Sequence, residues 1–211
     1  PLDVAAPVKQ GIQWITPEDL EFAASMGYRV KHLGIARRQG DRVEMRVHPT
    51  LIPEQKQLAN VDGVLNAIMI KGDAVGELVL VGPGAGGTAT ASAVCADLAD
   101  IARTAAGSGP ALGVPMGQLK SQTMVPADDI ESEWYVRLAA SDCAGVMSDI
   151  TQVLANHDVS IESLLQNPPQ EDQATVSIVL LTHVASASVM TAVMQEITAL
   201  TEVETDFTLL R

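Results

Sequence analysis

The chain is poor in aromatic residues, poor in basic residues and free of long apolar runs. Aromatics make up 3% of its 211 residues, too few for the stacked rings with which proteins hold single-stranded nucleic acids. Its 13 lysines and arginines face 26 acids, giving a formal net charge of −13, which would repel a phosphate backbone. No apolar run reaches the roughly 18 residues of a membrane span. Nucleic-acid binding and membrane spanning are therefore excluded as expected functions.

Cysteine is scarce as well. Cys95 and Cys143 lie far apart without metal-site spacing, so we expect each to be a small buried or half-buried side chain in a reducing compartment. The opening PLDVAAPVKQ lacks a basic stretch followed by a hydrophobic core, and we expect no signal peptide. Both observations indicate the cytoplasm. Hydrophobic residues, at 47%, are abundant enough to fill a core.

The most distinctive stretch is a cluster of glycines between a predicted strand and a predicted helix. The run ELVLV ends at Val81, GPGAGG follows, and TATASAVCADLADIAR places Val94, Leu98 and Ile101 on one helical face. A glycine turn that opens a helix directs free backbone amides and the positive end of the helix dipole towards its surroundings, where anions commonly bind. Four glycines in six positions exceed what a turn requires, which favours close approach of a ligand. A tight strand-to-helix connection is the alternative.

Gly82, Gly84 and Gly87 formally satisfy the G-x-G-x-x-G fingerprint of dinucleotide-binding folds, but the context does not fit. The fingerprint needs a second strand after the helix and an acidic residue about 20 positions on that holds the ribose. Here Arg103 is followed by TAAGSGPALGVPMGQLK, in which no such strand is predicted. We therefore predict a ligand-facing turn outside a complete dinucleotide fold.

The segment up to Arg103 predicts an α+β sheet domain. A helix is predicted from its N-cap Thr16, followed by Pro17, to Gly27. Its inward-facing residues are predicted to be Leu20, Ala23 and Ala24. Strands are predicted at 30–36, 43–48, 64–70 and 75–81. Two helices cannot cover such a sheet fully, so we expect another chain or a missing segment to complete the core.

His48 stands at the end of a predicted strand whose residues alternate apolar with polar, and a loop is predicted from Pro49 to Leu58. A histidine at that point can bind or catalyse, since its side chain titrates near neutral pH. It can also cap the end of the strand. The sequence leaves both interpretations open.

Residues 107–131 are predicted to form a linker, because the chain from 104 to 129 is rich in glycine and proline. Residues 132–211, named the C-terminal module, have a different pattern. Strands are predicted at 134–138, 159–164, 174–182 and 203–210, with helices opening at Val146 and over 186–200. The order βαββαβ is the ferredoxin-like split arrangement, in which two helices cover one face of a four-stranded antiparallel sheet.

Two parts of the chain resemble known families. The segments LGIARRQGDRVEMRVHPTLIP, GDAVGE and GPGAGGTATASAVCADLADIAR resemble the second half of the catalytic domain of bacterial homoserine dehydrogenase. The C-terminal module resembles an ACT domain, the small effector-binding unit appended to many such enzymes. The resemblance covers essentially the whole chain. It implies the end of a catalytic and dimerisation domain over 1–106, a linker over 107–131 and a regulatory ACT domain over 132–211.

This resemblance also implies an activity and an assembly. The family interconverts aspartate semialdehyde and homoserine with NAD or NADP, on the route to threonine and methionine, as a cytoplasmic homodimer or homotetramer. Its dinucleotide-binding domain and catalytic lysine precede the segment that matches this chain. We therefore expect no catalytic residue here and no activity from this chain alone. The part that carries over is the glycine turn, which in the family approaches the nicotinamide, so the expected cofactor-binding residues are Gly82, Gly84, Ala85 and Gly86.

The ACT resemblance implies an amino-acid effector such as threonine. The loop that opens the first ACT helix usually reads Asp or Asn, a basic residue, Pro, Gly, Val. Here the loop from Asp142 to Val146 matches at Asp142 and Gly145 and departs at Cys143 and Ala144. Free amides at the helix start would hold the carboxylate of the effector, and Asp142 its ammonium. The expected effector-binding residues, with the last two facing a paired module, are Asp142, Gly145, Val146, Ser160 and Ile161.

Two alternatives stay open. The C-terminal module can be a dimerisation unit that binds no ligand. The whole chain can be a free-standing threonine sensor without catalysis, although such a sensor has no reason to keep GPGAGG.

Overall fold

The structure, a computed structural model, describes residues 7–103, 118, 120–166 and 175–211. Two compact units divide the chain: Ile52–Ser121 form the first, while Leu2–Leu51 and Gln122–Arg211 together form the second. The strands are β1 Val8–Lys9, β2 Tyr28–Gln39, β3 Arg42–Pro53, β4 Leu65–Gly72, β5 Gly76–Pro83, β6 Thr123–Met124, β7 Glu131–Ser141, β8 Ile161–Gln166, β9 Thr175–Ser186 and β10 Val203–Leu210. The helices are α1 Pro17–Ser25, α2 Gly87–Arg103, α3 Val146–Asn156 and α4 Ala187–Ile197.

The C-terminal module has the predicted βαββαβ order. Its strands form an antiparallel sheet in the order β10-β7-β9-β8. Helices α3 and α4 bury their apolar sides against one face of this sheet, with Ile150, Met190 and Ile197 fully buried. The predicted inward positions of α3, all buried, are Val146, Ile150, Val153 and Leu154. The α+β, ferredoxin-like prediction for this module is confirmed.

The opposite face of that sheet is covered by α1, which lies far away in sequence. Phe22 of α1 packs into a second buried cluster with Tyr135, Val179, Leu181 and Leu210 of the sheet. The sheet is therefore buried on both faces, and its second cover comes from the N-terminal part of the chain. This explains why residues before Leu51 and after Gln122 form one compact unit.

Helix α1 begins and ends as predicted, but a different side faces inwards. The Thr16 side chain caps it, the Asp19 carboxylate accepts a hydrogen bond from the Thr16 backbone N–H, and Gly27 follows the last turn with a left-handed φ of +79°. Leu20 and Ala24 were predicted to be buried and are exposed, so that prediction is wrong. The buried residues are Asp19, Phe22 and Ala23.

Strand β3 runs further than predicted and has an unusual alternation. Residues 49–53, predicted as loop, continue the strand to Pro53, and a 3-10 turn over Gln57–Asn60 follows. The strand pairs with β2 and with the short strands β1 and β6. Its polar side chains point inwards, and the buried set is Glu44, Arg46 and His48. The apolar residues between them are partly or largely exposed, Val47 by 38%.

The described residues of the first unit include an antiparallel pair of strands and one α-helix. Strands β4 and β5 pair from Leu65↔Pro83 to Gly72↔Gly76, and α2 follows. No described residue of α2 is buried, and its predicted apolar face is exposed, by 52% at Val94, 60% at Leu98 and 66% at Ile101. The helix is confirmed, and within the described residues its apolar face is exposed. That another chain or segment completes this core stays a prediction.

Three smaller predictions can be compared with the structure. Cys95 and Cys143 are both exposed, so their expected burial is wrong: Cys95 lies on the uncovered helix α2, and Cys143 in a loop. Within the segment from 104 to 129, expected to have little regular structure, the short strand β6 and a 3-10 turn at Ala127–Asp129 are formed, while residues 104–117 and 119 lie outside the described part. Among the described helices, none has the length and apolarity that crossing a bilayer requires.

Candidate functional site

The glycine turn connects β5 to α2 and is held by β4. Asn66 of β4 lies opposite Gly82 in the register of the pair. The Gly84 N–H donates to the Val64 carbonyl at 2.7 Å, so this amide is already used within the chain. Thr90 N–H donates to Gly86 O at 3.0 Å and closes the first turn of α2. The predicted residues Gly82, Gly84, Ala85 and Gly86 therefore sit together at the start of this helix.

The glycines of the turn differ in their backbone conformation and in the space around them. Gly86 has φ +110°, a conformation that side-chain-bearing residues rarely adopt. Gly84 has no left-handed φ, but a Cβ there would coincide with the Asn66 carboxamide. Gly82 and Gly87 have neither constraint: among the described residues no atom lies within 4 Å of where their Cβ would be. The space beside these two glycines is open, as the close approach of a ligand requires.

The start of α2 is suited to bind an anionic or polar group. The first N–H groups of a helix have no partner inside it and carry the positive end of its dipole. The first turn of α2 contains no acidic side chain that would neutralise this end. Gly87, which the sequence prediction left out of the site, lies at that end and, like Gly86, has open space beside it. The sequence feature that could have identified Gly87 as part of the site is its position in the glycine cluster.

The predicted effector residues divide into two groups within one chain. Gly145 is the N-cap of α3, with φ +105° and no side-chain capping bond, and Asp142 beside it is exposed. Val146 is buried in the module core. In the sheet, Ile161 lies opposite Thr182, and Thr182 in turn lies opposite Trp134. At the other end of β7, Ser141 lies opposite Thr175.

The two groups therefore lie at opposite ends of the sheet. Trp134 and Ser141 are separated by about 23 Å along β7 at roughly 3.3 Å per residue. Ser160 and Ile161 belong to the Trp134 end, and Asp142 and Gly145 to the Ser141 end. One chain does not bring all five residues together. A site made of both groups requires two copies of the module.

A buried polar cluster joins α1 to the sheet of the C-terminal module. Arg137 Nε donates to Asp19 Oδ1 at 2.6 Å, and Tyr135 Oη donates to the same oxygen at 2.9 Å. Arg137 Nη2 also donates to Thr208 Oγ1 at 2.8 Å. Burial alone would raise the pKa of Asp19, but hydrogen bonds from Arg137 and Thr16 outweigh it and hold that pKa below its usual value. Asp19 therefore stays ionised and paired, and its role is structural.

His48 lies inside β3 and not at its end, so the strand-capping interpretation is wrong. The side chain is fully buried, and its Nδ1–H donates to the Pro49 carbonyl at 2.8 Å. Burial, together with the nearby positive charges of Arg46 and Arg211, lowers the pKa of His48 to about 4 despite this bond. The imidazole is neutral at physiological pH. No group of three or more His, Cys, Asp or Glu side chains within the described ranges could hold a metal ion.

Comparisons with known proteins identify both parts of the chain. The homoserine dehydrogenase family model matches residues 2–99, and the ACT domain model matches residues 135–202. Homoserine dehydrogenase of Neisseria gonorrhoeae is 42% identical over 100% of this chain and 49% of its own length. That of Pseudomonas aeruginosa is 40% identical over 87% of this chain and 43% of its own length.

A solved structure gives the same result. The homoserine dehydrogenase from Thiobacillus denitrificans superposes with a TM-score of 0.85 at 40% identity, over 98% of this chain and 47% of that one. The chain thus spans about half the length of the curated relatives that it matches.

Proposed function

Since this chain belongs to the homoserine dehydrogenase family and carries an ACT domain, we propose that it forms part of an enzyme that interconverts aspartate semialdehyde and homoserine. Residues 1–106 would supply the end of the catalytic and dimerisation domain, residues 107–131 the linker and residues 132–211 the regulatory domain. The enzyme would work in the cytoplasm as a homodimer or homotetramer. Its substrates are small molecules on the route to threonine and methionine.

The role proposed for this chain in catalysis is to bind and orient NAD or NADP, which when bound supplies or accepts a hydride. The open space beside Gly82 and Gly87 carries this proposal, because nothing in the described chain requires glycine at either position. Amides at the start of α2 would face the cofactor, together with Ala85 and Gly86. Gly84 would act through the shape of the turn, since its own N–H donates to Val64.

The test is cofactor affinity of the full-length enzyme, measured by equilibrium titration of NADPH or NADH fluorescence. Gly82→Ala and Gly87→Ala each add a methyl group to the open space, and we expect the dissociation constant to rise about tenfold, or ~1.4 kcal/mol. The matched control is Gly34→Ala in β2, where a Cβ would meet only Val47 Cγ2 at 4.0 Å. Unchanged affinity in both turn variants, with normal melting temperatures, would refute the cofactor role.

For the ACT domain we propose that an amino acid such as threonine binds between two copies of the module. The uncapped start of α3, with Asp142, Gly145 and Val146, would come from one copy, and Ser160 and Ile161 from the other. The separation of these groups within one chain supports a site shared between copies. Calorimetric titration of the full-length enzyme with threonine should give saturable heat that Asp142→Ala abolishes and Asp206→Ala, at another exposed acid, preserves. Absence of heat with the parent enzyme would end this proposal.

A further inference from the structure

We infer that Asn66 is a positioning residue of the cofactor turn, acting through Gly84. This inference rests on the proposed cofactor role of the turn. It concerns a different residue on a different strand, for which the family resemblance implied no role. The geometry at Gly84 carries it.

The Asn66 side chain occupies the position that a side chain at Gly84 would take. The ideal Cβ of residue 84 would overlap the Asn66 Nδ2 and Cγ atoms and lie 3.0 Å from Oδ1. Real Cβ atoms do not approach other atoms so closely. Gly84 has no left-handed φ, so its backbone conformation would accept alanine. A side chain at position 84 would therefore displace the Asn66 carboxamide from its place against the turn.

Strand β4 holds Gly84 on two sides. The Val64 carbonyl accepts the Gly84 N–H at 2.7 Å, and the Asn66 carboxamide lies against its Cα. Two residues later Gly86 takes its left-handed φ, and α2 begins at Gly87. Because Gly84 is fixed, the direction in which the chain enters the helix is fixed as well. Asn66 thus helps to set where the free amides of α2 point.

The stability of the fold gives little reason for asparagine here. Asn66 is exposed in a strand whose sequence, LNAIMIKG, is otherwise mainly apolar, and asparagine is depleted in strands. Removal of an exposed side chain usually changes the free energy of unfolding only slightly. A positioning role and a stability role therefore predict different results when Asn66 is truncated.

The experiment is a double-mutant cycle in the full-length enzyme, read by cofactor dissociation constant and melting temperature. We expect Asn66→Ala to weaken cofactor binding about tenfold at nearly constant melting temperature. Gly84→Ala should weaken binding in the parent. In the Asn66→Ala background it should add little, because the overlapping carboxamide is gone. The control is Asn60→Ala, the same chemical change in the same compact unit, where the side chain bonds to Glu54 O and Lys56 O away from the turn.

A second readout needs no cofactor. In the free enzyme, amide hydrogen exchange of the peptide that contains Thr88 to Thr90 should be faster in Asn66→Ala than in Asn60→Ala. Additive effects of the two substitutions, or unchanged affinity and exchange in Asn66→Ala, would overturn the inference. If Gly82→Ala and Gly87→Ala leave affinity unchanged, the proposed cofactor role fails instead. If binding weakens in those variants but positions 66 and 84 show no coupling, the cofactor role stands and only the inference about Asn66 is overturned.

Discussion

The buried imidazole of His48 should make the second compact unit less stable in mild acid. Its pKa is about 4 in the folded chain against 6.5 for an ordinary histidine. Between these values the unfolded chain binds a proton that the folded chain does not, so stability is complete above pH 6.5 and falls as the pH drops towards 4. A difference of about 2.5 pKa units at ~1.4 kcal/mol per unit corresponds to about 3 kcal/mol.

The assay is urea unfolding between pH 4 and pH 8, followed by tryptophan fluorescence. Trp134 is 3% exposed and lies in the same compact unit as His48, so a Trp14→Phe background leaves it as the sole tryptophan reporter. His48→Gln keeps a donor for the Pro49 carbonyl but does not titrate, and it should remove the loss of stability specific to this window. His183→Gln, at an exposed histidine, should keep the loss. Equal pH slopes for the parent and His48→Gln would refute the reasoning.

Three further substitutions test other parts of the structure by the same urea assay or by calorimetry. Asp19→Asn removes the carboxylate that pairs with the partly buried Arg137 and leaves only the longer pair with Glu18 at 3.5 Å, so it should cost about 1.5–3 kcal/mol. It should also reduce the fall in stability below about pH 4, because the lowered pKa of Asp19 stabilises the folded chain only while that carboxylate is ionised. A cost under 1 kcal/mol would show that the pair is solvated. Ile150→Ala should cost about 2–5 kcal/mol, since the side chain is fully buried between α3 and the sheet, and a smaller loss would contradict tight packing there. Gly86→Ala should cost about 1–2 kcal/mol through its left-handed φ, and a stabilising effect would contradict that conformation.

The C-terminal module was predictable because its signals are local and agree with one another. Val146, Ile150 and Val153 recur at helical spacing, and these residues do face the sheet. The strands around them read as short apolar runs separated by helices. When periodicity and element order agree in this way, the sequence is sufficient to predict the architecture.

The N-terminal segment was harder because its buried residues include charges whose partners lie far away in the chain. An acid in the first turn of a helix is ordinarily exposed, but Arg137, 118 positions after Asp19, makes the burial of Asp19 favourable. Judging the helix by apolarity alone therefore chose Leu20 over Asp19. In β3 the charge partner is close in sequence instead: Glu44 is buried against Arg46, two positions later, with 3.1 Å between Arg46 Nε and Glu44 Oε1. Local hydrophobic patterns cannot report a charge that is neutralised by a distant residue.

For the candidate site, the sequence predicted which stretch of the chain forms it but not which role each residue of that stretch has. A cluster of glycines marks the turn, yet all glycines look alike in the printed sequence. Only coordinates show that the φ of Gly86 calls for glycine, that the Asn66 carboxamide packs against Gly84 and that the space beside Gly87 is open. Asn66 carries no local signal apart from being polar within an apolar strand, because its contact is made across the β4–β5 pair.

The packing of α1 on the sheet of the C-terminal module matters to anyone who wishes to transplant this regulatory domain into another enzyme. A graft cut at residues 132 and 211 would expose Tyr135, Val179 and Leu181 to water and leave the Arg137 guanidinium without Asp19. Such a chimera should aggregate or lose its fold. A graft that also carries residues 7–51 keeps both faces of the sheet covered. The unit that can be transplanted is therefore discontinuous in sequence.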